Sequence, residues 1–375
     1  MVRAADAALA PIGWFGRLRR SERDPIRRVL LLRLERIGDL LMVLDAIAEA
    51  RAAWPEAEID LAVGSWNEPL ARLIGGVSRV EVADVPWLAR EGTGLSWPSL
   101  VGRARDWRRR RYDLVLNFEP DIRSNLLAWL TGARRRFGYW TGGGGALLTS
   151  AAAYVPSQHV SRNAVDLVRR AAGGPADRMP RSNSKTPRLV PPPPSPSVQD
   201  LLAKAGRPIV GIHASGGRES KQWHPSRFAE VARALVDLHG ATIVLTGSRG
   251  DRPIVDQVLA ALAGVPVIDA AGRFDLPETA ALLGALDLLV TGDTGPMHLA
   301  DAVGTPVVAL FGPSDPRRYG PTSPGQTVLR VDLPCSPCGM VRLPPERCRG
   351  HVPDCMDGIT VARVIDAASA QLRSR

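Results

Sequence analysis

The chain has 375 residues, of which 45% are hydrophobic and 23% charged, with 36 Gly, 32 Pro and 5% aromatics. That is the composition of an ordered globular protein, which excludes a disordered one, and the length points to two domains. The formal charge is +10, and its excess collects at 17–28, 103–111, 134–136 and 162–181, which suits either a polyanionic partner or solvated helix faces.

No stretch reaches the roughly 18 uninterrupted apolar residues of a membrane span. The N-terminus lacks the apolar core and small-residue cleavage site of a secretory signal, so a cytoplasmic protein is expected. Residues 1–26 read as a basic extension. Ile12, Trp14 and Phe15 precede Arg17, Arg19, Arg20 and Arg23, a composition that could rest on an anionic membrane surface or form a basic tail.

From residue 27 to 175 short β-rich runs alternate with helical patterns. Strands are expected at 29–34, 58–63, 79–82, 114–117 and near 136–139, and helices at 40–53, 69–74, 99–110, 124–130 and 159–172. This βα repeat predicts a parallel sheet with helices on both faces. The first strand runs into Arg33-Leu34-Glu35-Arg36-Ile37-Gly38-Asp39, where Gly38 permits a tight turn and Asp39 stands at the helix start. A carboxylate there could take a proton from a nucleophilic hydroxyl, or simply cap the helix. The run 142–145 reads as a flexible glycine loop. Between 176 and 205 the periodicity gives way to Pro, Ser, Arg and Asn, including Pro191 to Pro194, and this is read as a linker.

A second βα series fills 206–358. Its strands are expected at 209–213, 241–246, 266–269, 286–290 and 307–311, with helices at 228–238, 251–263, 277–285 and 297–303. The first of these strands ends in His213-Ala214-Ser215-Gly216-Gly217, followed by Lys221-Gln222-Trp223-His224. Ser215 and the glycines offer hydroxyl and amide donors, and Lys221 adds a point charge suited to a diphosphate. After the second strand, Asp251 is placed either to contact a ribose hydroxyl or to cap a helix.

The most telling stretch is Gly292-Asp293-Thr294-Gly295-Pro296-Met297-His298-Leu299-Ala300. A buried strand breaks into a turn and resumes as a helix, with Asp293 or Thr294 available as a cap. Helix N-terminal amides at the carboxyl end of a parallel strand make an anion site, so phosphate is the expected ligand.

All four cysteines, Cys335, Cys338, Cys348 and Cys355, lie within 335–355 with His351 among them. They could supply thiolates for a structural zinc, or remain reduced thiols in a cytoplasmic setting. A closing amphipathic helix is expected at 359–375. Two doubly wound domains would face each other across a central cleft. Neither first strand carries G-x-G-x-x-G, which argues against a dinucleotide oxidoreductase.

Taken in order, several pieces resemble glycosyltransferase family 9, the ADP-heptose:lipopolysaccharide heptosyltransferases. They are Arg36-Ile37-Gly38-Asp39, Lys221-x-Trp223-x-x-x-x-Phe228, Asp293-Thr294-Gly295-x-x-His298-Leu299-Ala300, Gly304-x-Pro306, Phe311-Gly312-Pro313-Ser314-Asp315-Pro316 and Cys335-x-x-Cys338. The resemblance extends from about Val29 to about Leu372. It implies a GT-B fold of two Rossmann-like domains, the N-terminal one for acceptor and the C-terminal one for the nucleotide sugar. It also implies inverting transfer of heptose from an ADP-sugar to a lipopolysaccharide-core or lipid-linked acceptor, with no cofactor and no catalytic metal.

On the same resemblance Asp39 is the base and Lys221 binds the diphosphate. Ser215, Asp251, Asp293, Thr294, Gly295, Met297 and His298 line the donor, and Arg36 and Arg123 are candidates for the acceptor. Peripheral association with the cytoplasmic face of an inner membrane is expected, and nucleic acid is not. Two other classes stay open: a GT-B sugar-nucleotide epimerase, and a non-enzymatic basic adaptor with a zinc-bearing cysteine segment.

Overall fold

Two sets of strands, buried at their centres and half-exposed at their edges, build two separate sheets in this computed structural model, which describes residues 25–88, 94, 96–174 and 189–374. The chain divides into two units at residues 180 and 181. Most of the basic extension at 1–26, with Trp14 and Phe15, lies outside the described residues.

The first unit runs β1 (Arg28–Leu32), α1 (Ile37–Leu41), α2 (Leu44–Ala53), β2 (Glu58–Val63), α3 (Glu68–Ala71), β3 (Arg79–Val82), α4 (Trp97–Arg109), β4 (Leu114–Asn117), α5 (Ile122–Leu130), β5 (Arg135–Tyr139), β6 (Ser150–Ala152) and α6 (Val160–Ala171). Val29, Leu30, Leu31 and Leu32 have no exposed surface, as a strand covered on both faces requires. The sheet is parallel throughout, in the order β3-β2-β1-β4-β5-β6. The chain therefore winds outward from β1 and returns to β4 on its other side. The β1/β4 junction is the switch point, where open α/β sheets keep their ligands.

The second unit runs α7 (Pro196–Leu202), β7 (Ile209–His213), α8 (Pro225–His239), β8 (Thr242–Leu245), α9 (Arg252–Ala261), β9 (Val267–Asp269), α10 (Leu276–Ala285), β10 (Leu288–Gly292), α11 (Gly295–Val303), β11 (Val307–Leu310), α12 (Pro316–Tyr319), β12 (Thr327–Leu329), α13 (Asp354–Asp357) and α14 (Val361–Arg373). Its order, β12-β11-β10-β7-β8-β9, is the same winding, with the switch point at β7/β10. α14 packs on α8 and along β10 to β12, placing Val364 and Ala368 in the core.

Four expectations change. The strand expected to reach residue 34 stops at Leu32, because the Leu34 amide turns away from the ladder to the carboxylate of Glu119. The single helix expected at 40–53 begins at Ile37 and is broken into α1 and α2.

The stretch assigned to a linker is largely part of the second unit. The Leu189 amide donates to Ala302 O at 2.9 Å, and α7 is capped by Ser195 and buries Val198 and Leu201. Proline-rich flanks hid this helix, since Pro is tolerated at its first position.

The Gly142 to Gly145 run is not a flexible loop. A Cβ on Gly142 would stand 1.9 Å from Pro120 O, and Asn125 Nδ2 donates to Gly143 O at 2.8 Å. These glycines are there for close backbone packing. The three-residue edge strands β6 and β12 escaped the sequence reading because so short a run shows no period.

Candidate active site

In the first unit the chemistry gathers at the β1/β4 switch point. Asp39 is the third residue of α1, whose N-cap position is held by Arg36 without a side-chain cap bond. Asp39 is therefore not a cap. Arg33 binds it twice, Nη2 donating to Oδ1 at 3.1 Å and Nε to the main-chain oxygen at 3.0 Å, while Nη1 donates to Phe118 O at 3.1 Å. Among the described residues Oδ2 receives no hydrogen bond, which leaves one carboxylate oxygen open on a side chain that is 31% exposed.

Behind this pair lies Glu119, on the loop after β4 and 2% exposed. Its Oε1 accepts from the amides of Leu34 and Glu35. Burial pushes its carboxyl up to about 8, against the opposing pull of Arg33 and with help from Glu35 and Asp39. Sequence reading passed over both Arg33 and Glu119. The available signal was a charged residue at the end of each otherwise apolar strand, an arrangement that burial permits only with a partner.

The two acceptor candidates differ in their settings. Arg36 is exposed at the α1 N-cap. Arg123 is clamped by Asp121, Nε to Oδ1 at 2.9 Å, and lies 4.7 Å over the Trp87 ring.

The second unit repeats the plan at β7/β10. Lys221 follows β7 in a short 3-10 turn, and its Nζ donates to the main-chain oxygen of Asp293 and, at 3.0 Å, to Oδ2 of the same residue. The lysine is held there by its neighbours. A Cβ on Gly216 would come within 2.7 Å of the Lys221 backbone. Gln222 ties the segment down, accepting from the Gly216 amide at 2.8 Å and donating to Ala214 O and Trp223 O. Trp223 is 1% exposed and donates to Ile359 O at 3.0 Å, edge-on to Phe228 at 4.9 Å. The Trp and Phe of that motif are thus packing residues that set Lys221 at the sheet edge.

At the start of α11 neither expected cap is used. Thr294 occupies the N-cap position with no side-chain bond to the helix amides; its hydroxyl is 3.4 Å from Gly292 O and 3.3 Å from that of Thr291. Asp293 is taken by Lys221. The first turn is therefore left without a side-chain cap, the condition under which it can receive a phosphate.

Met297 is fully buried, a core side chain rather than a surface contact, and His298 is 7% exposed. Asp251 forms a capping box with Ser248, accepting at Oδ2 from its amide at 2.7 Å and its hydroxyl at 2.6 Å. Burial works to raise this carboxyl, but the hydroxyls of Ser215 and Ser248 hold it below the ordinary range. Asp251 thus caps the turn that follows β8, one of the two roles considered for it.

The cysteine segment holds four free thiols, with Cys355 buried. Burial, and then the neighbouring thiols, push Cys355 up to about 11. Among the described residues no group of three or more His, Cys, Asp or Glu is placed to hold a metal ion, so the zinc alternative finds no ligand cluster. No described helix is long and apolar enough to cross a membrane.

The profile for glycosyltransferase family 9 (heptosyltransferase) matches residues 103–343. The chain is 26% identical over 326 residues to lipopolysaccharide heptosyltransferase 2 of Escherichia coli K12, covering 81% of this chain and 88% of that protein. Among solved structures it superposes on a family 9 glycosyltransferase from Veillonella parvula with a TM-score of 0.78 at 22% identity, over 95% of this chain and 100% of the other. It also superposes on the E. coli heptosyltransferase WaaC with ADP-2-deoxy-2-fluoro heptose at a TM-score of 0.66 and 19% identity, over 92% and 99%. The fold is the GT-B fold of these structures.

Proposed function

The chain belongs to glycosyltransferase family 9, and from that membership we propose that it is an inverting transferase that moves a heptose from an ADP-activated donor to a lipopolysaccharide-core acceptor. The observation that carries this reading is the Lys221–Asp293 pair beside the first turn of α11. A cation and a row of amides at one strand edge are what a departing nucleoside diphosphate needs.

In this reading the second unit holds the donor and the first takes the acceptor. The acceptor oxygen forms its bond to the anomeric carbon while the bond from that carbon to the diphosphate oxygen breaks. The hydroxyl proton passes to Oδ2 of Asp39, and the electron pair leaves with ADP. Lys221 and the α11 amides stabilise the charge that grows on the leaving group.

The named donors of the relatives, ADP-2-deoxy-2-fluoro heptose on WaaC among them, support ADP over other nucleotides. Thermal shift against ADP, UDP, GDP and CDP, followed by transfer from ADP-heptose to a heptose-deficient core, tests both halves. A nucleotide at a hundredfold excess over its Kd stabilises by about 2.7 kcal/mol. Stabilisation by UDP alone would overturn the donor assignment.

Action at an anionic membrane surface is part of the proposal, with a narrower basis than the arginine count suggests. Many of those arginines are spent inside the first unit. Arg110 pairs with Glu81 at 3.1 Å, Arg162 with Asp166 at 2.8 Å and Arg169 with Glu49 at 2.8 Å, and Arg136 is 4% exposed. Exposed Arg105 and Arg108, one turn apart on α4, are the better candidates for a lipid-facing stripe.

A further inference from the structure

We propose that Arg33 and Glu119 are a positioning pair for Asp39: Arg33 fixes one oxygen of its carboxylate, and the Glu119 carboxyl pins the loop that joins them. The inference rests on the reading of Asp39 as base.

The geometry is a closed frame around one loop. Arg33 stands at the loop's near end and Asp39 just past its far end, and Glu119 accepts the two amides between them, of Leu34 and Glu35. Glu119 is itself held by Asn117, whose Oδ1 accepts from the Glu119 amide at 3.2 Å and whose Nδ2 donates to its main-chain oxygen at 3.1 Å. The guanidinium has three fixed acceptors and is 3% exposed. Such a frame holds Oδ2 of Asp39 in one place, and misplacement of a reacting group by about 1 Å can cost on the order of 100-fold in rate.

The charge state of Glu119 matters as much as its position. The ionisable groups around it are Arg33, Glu35 and Asp39 on the β1–α1 segment and Arg123, with its partner Asp121, from the start of α5. The buried guanidinium spends its hydrogen bonds on Asp39 and Phe118, and none of them goes to Glu119. With burial pushing Glu119 up to about 8, it remains an acid at neutral pH, and the charge of Arg33 is left to Asp39. Above that pH a second anion forms in the frame and competes for Arg33.

The test is a set of pH–rate profiles on the full chain. Glu119→Ala should lower kcat roughly ten- to 100-fold with little change in either KM. Glu119→Gln keeps an acceptor for both amides, so it should recover most of that rate and lack the alkaline limb expected of wild type near pH 8. Arg33→Met should lower kcat by a similar factor with little change in either KM, since Asp39 loses the side chain that fixes its Oδ1, and Arg33→Lys should bring part of the rate back.

If Arg33→Met does not fold, the comparison of Glu119→Gln with wild type still decides. An alkaline limb unchanged in Glu119→Gln, or Glu119→Gln as slow as Glu119→Ala, would overturn the pair. Asp39→Asn separates the two levels: full activity there sinks the base reading itself, whereas an inactive Asp39→Asn with that limb unchanged in Glu119→Gln sinks only the positioning inference.

Discussion

Both units wind their strands in one order, and both place an ion pair at the junction where that order reverses, within the segment after β1 in the first and from the segment after β7 to the end of β10 in the second, but opposite members face outward. In the first unit the Arg33 side chain is 4% exposed and Asp39 31%; in the second Lys221 is 17% exposed and Asp293 11%. The first therefore offers a carboxylate backed by a buried cation. The second offers a cation backed by a buried carboxylate, with helix amides beside it. Topology decides where each pair sits, and in the proposed reading the polarity of the pair decides whether its site takes a proton or an anion.

The sharpest way to break this comparison is to neutralise each outward member in turn. Asp39→Asn should depress kcat by on the order of 100-fold or more while ADP affinity, which the proposal assigns to the other unit, stays where it was. Single-turnover kinetics and ADP titration check it. An unchanged rate constant at saturating substrates ends the assignment of Asp39.

Lys221→Ala should behave differently, weakening ADP by roughly tenfold and slowing the chemical step together. It also leaves a mostly buried carboxylate without its partner, at a cost of about 3 kcal/mol. Lys221→Ala with Asp293→Asn should restore that stability in a denaturant melt without restoring nucleotide binding. Recovery of both would mean that the pair is only structural.

The glycine turn bears on the first unit alone. Gly142→Ala must move Pro120, so it should destabilise by about 1–3 kcal/mol, read as a lower denaturation midpoint. A neutral effect would return 142–145 to the status of a loose loop.

A subtler contrast lies in pH. Glu119 rises from an ordinary value of 4.5 to about 8 on folding. Between those values the native state keeps a proton that the unfolded state has lost, so stability falls as pH rises through this window and levels off above about 8. Glu119→Gln should flatten that slope, as equilibrium melts at several pH values would show; an identical slope would mean that Glu119 titrates normally.

The smallest expected effect is on membrane attachment. Charge reversal at Arg105 and Arg108 should reduce sedimentation with anionic vesicles, more at low salt than at high. Equal, negligible binding by variant and wild type at low salt would refute attachment through α4.

Much of this was legible without coordinates, for a physical reason. A strand buried on both faces must be an apolar run, and the loop after it must be short and polar, so the βα alternation and the turns at Asp39, Lys221 and Asp293 announce themselves in local pattern. Motif residues with neighbours close in sequence were read together. Residues whose meaning depends on a distant partner were not. The capping box of Asp251 showed only once Ser248 was seen on its carboxylate, and the arginine clusters looked available until Glu81, Asp166 and Glu49 were found against them.

The amino-acid sequence by itself determined the two βα series, their phosphate-type turn and the family pattern, because periodicity and capping act over a few residues. Only the tertiary structure decided that Glu119 reaches 85 positions back to the Leu34 amide, that Lys221 spans 72 to Asp293, and which member of each ion pair is exposed. Burial and the electrostatics that follow from it belong to the packed sheet edge, and no window of local sequence contains them.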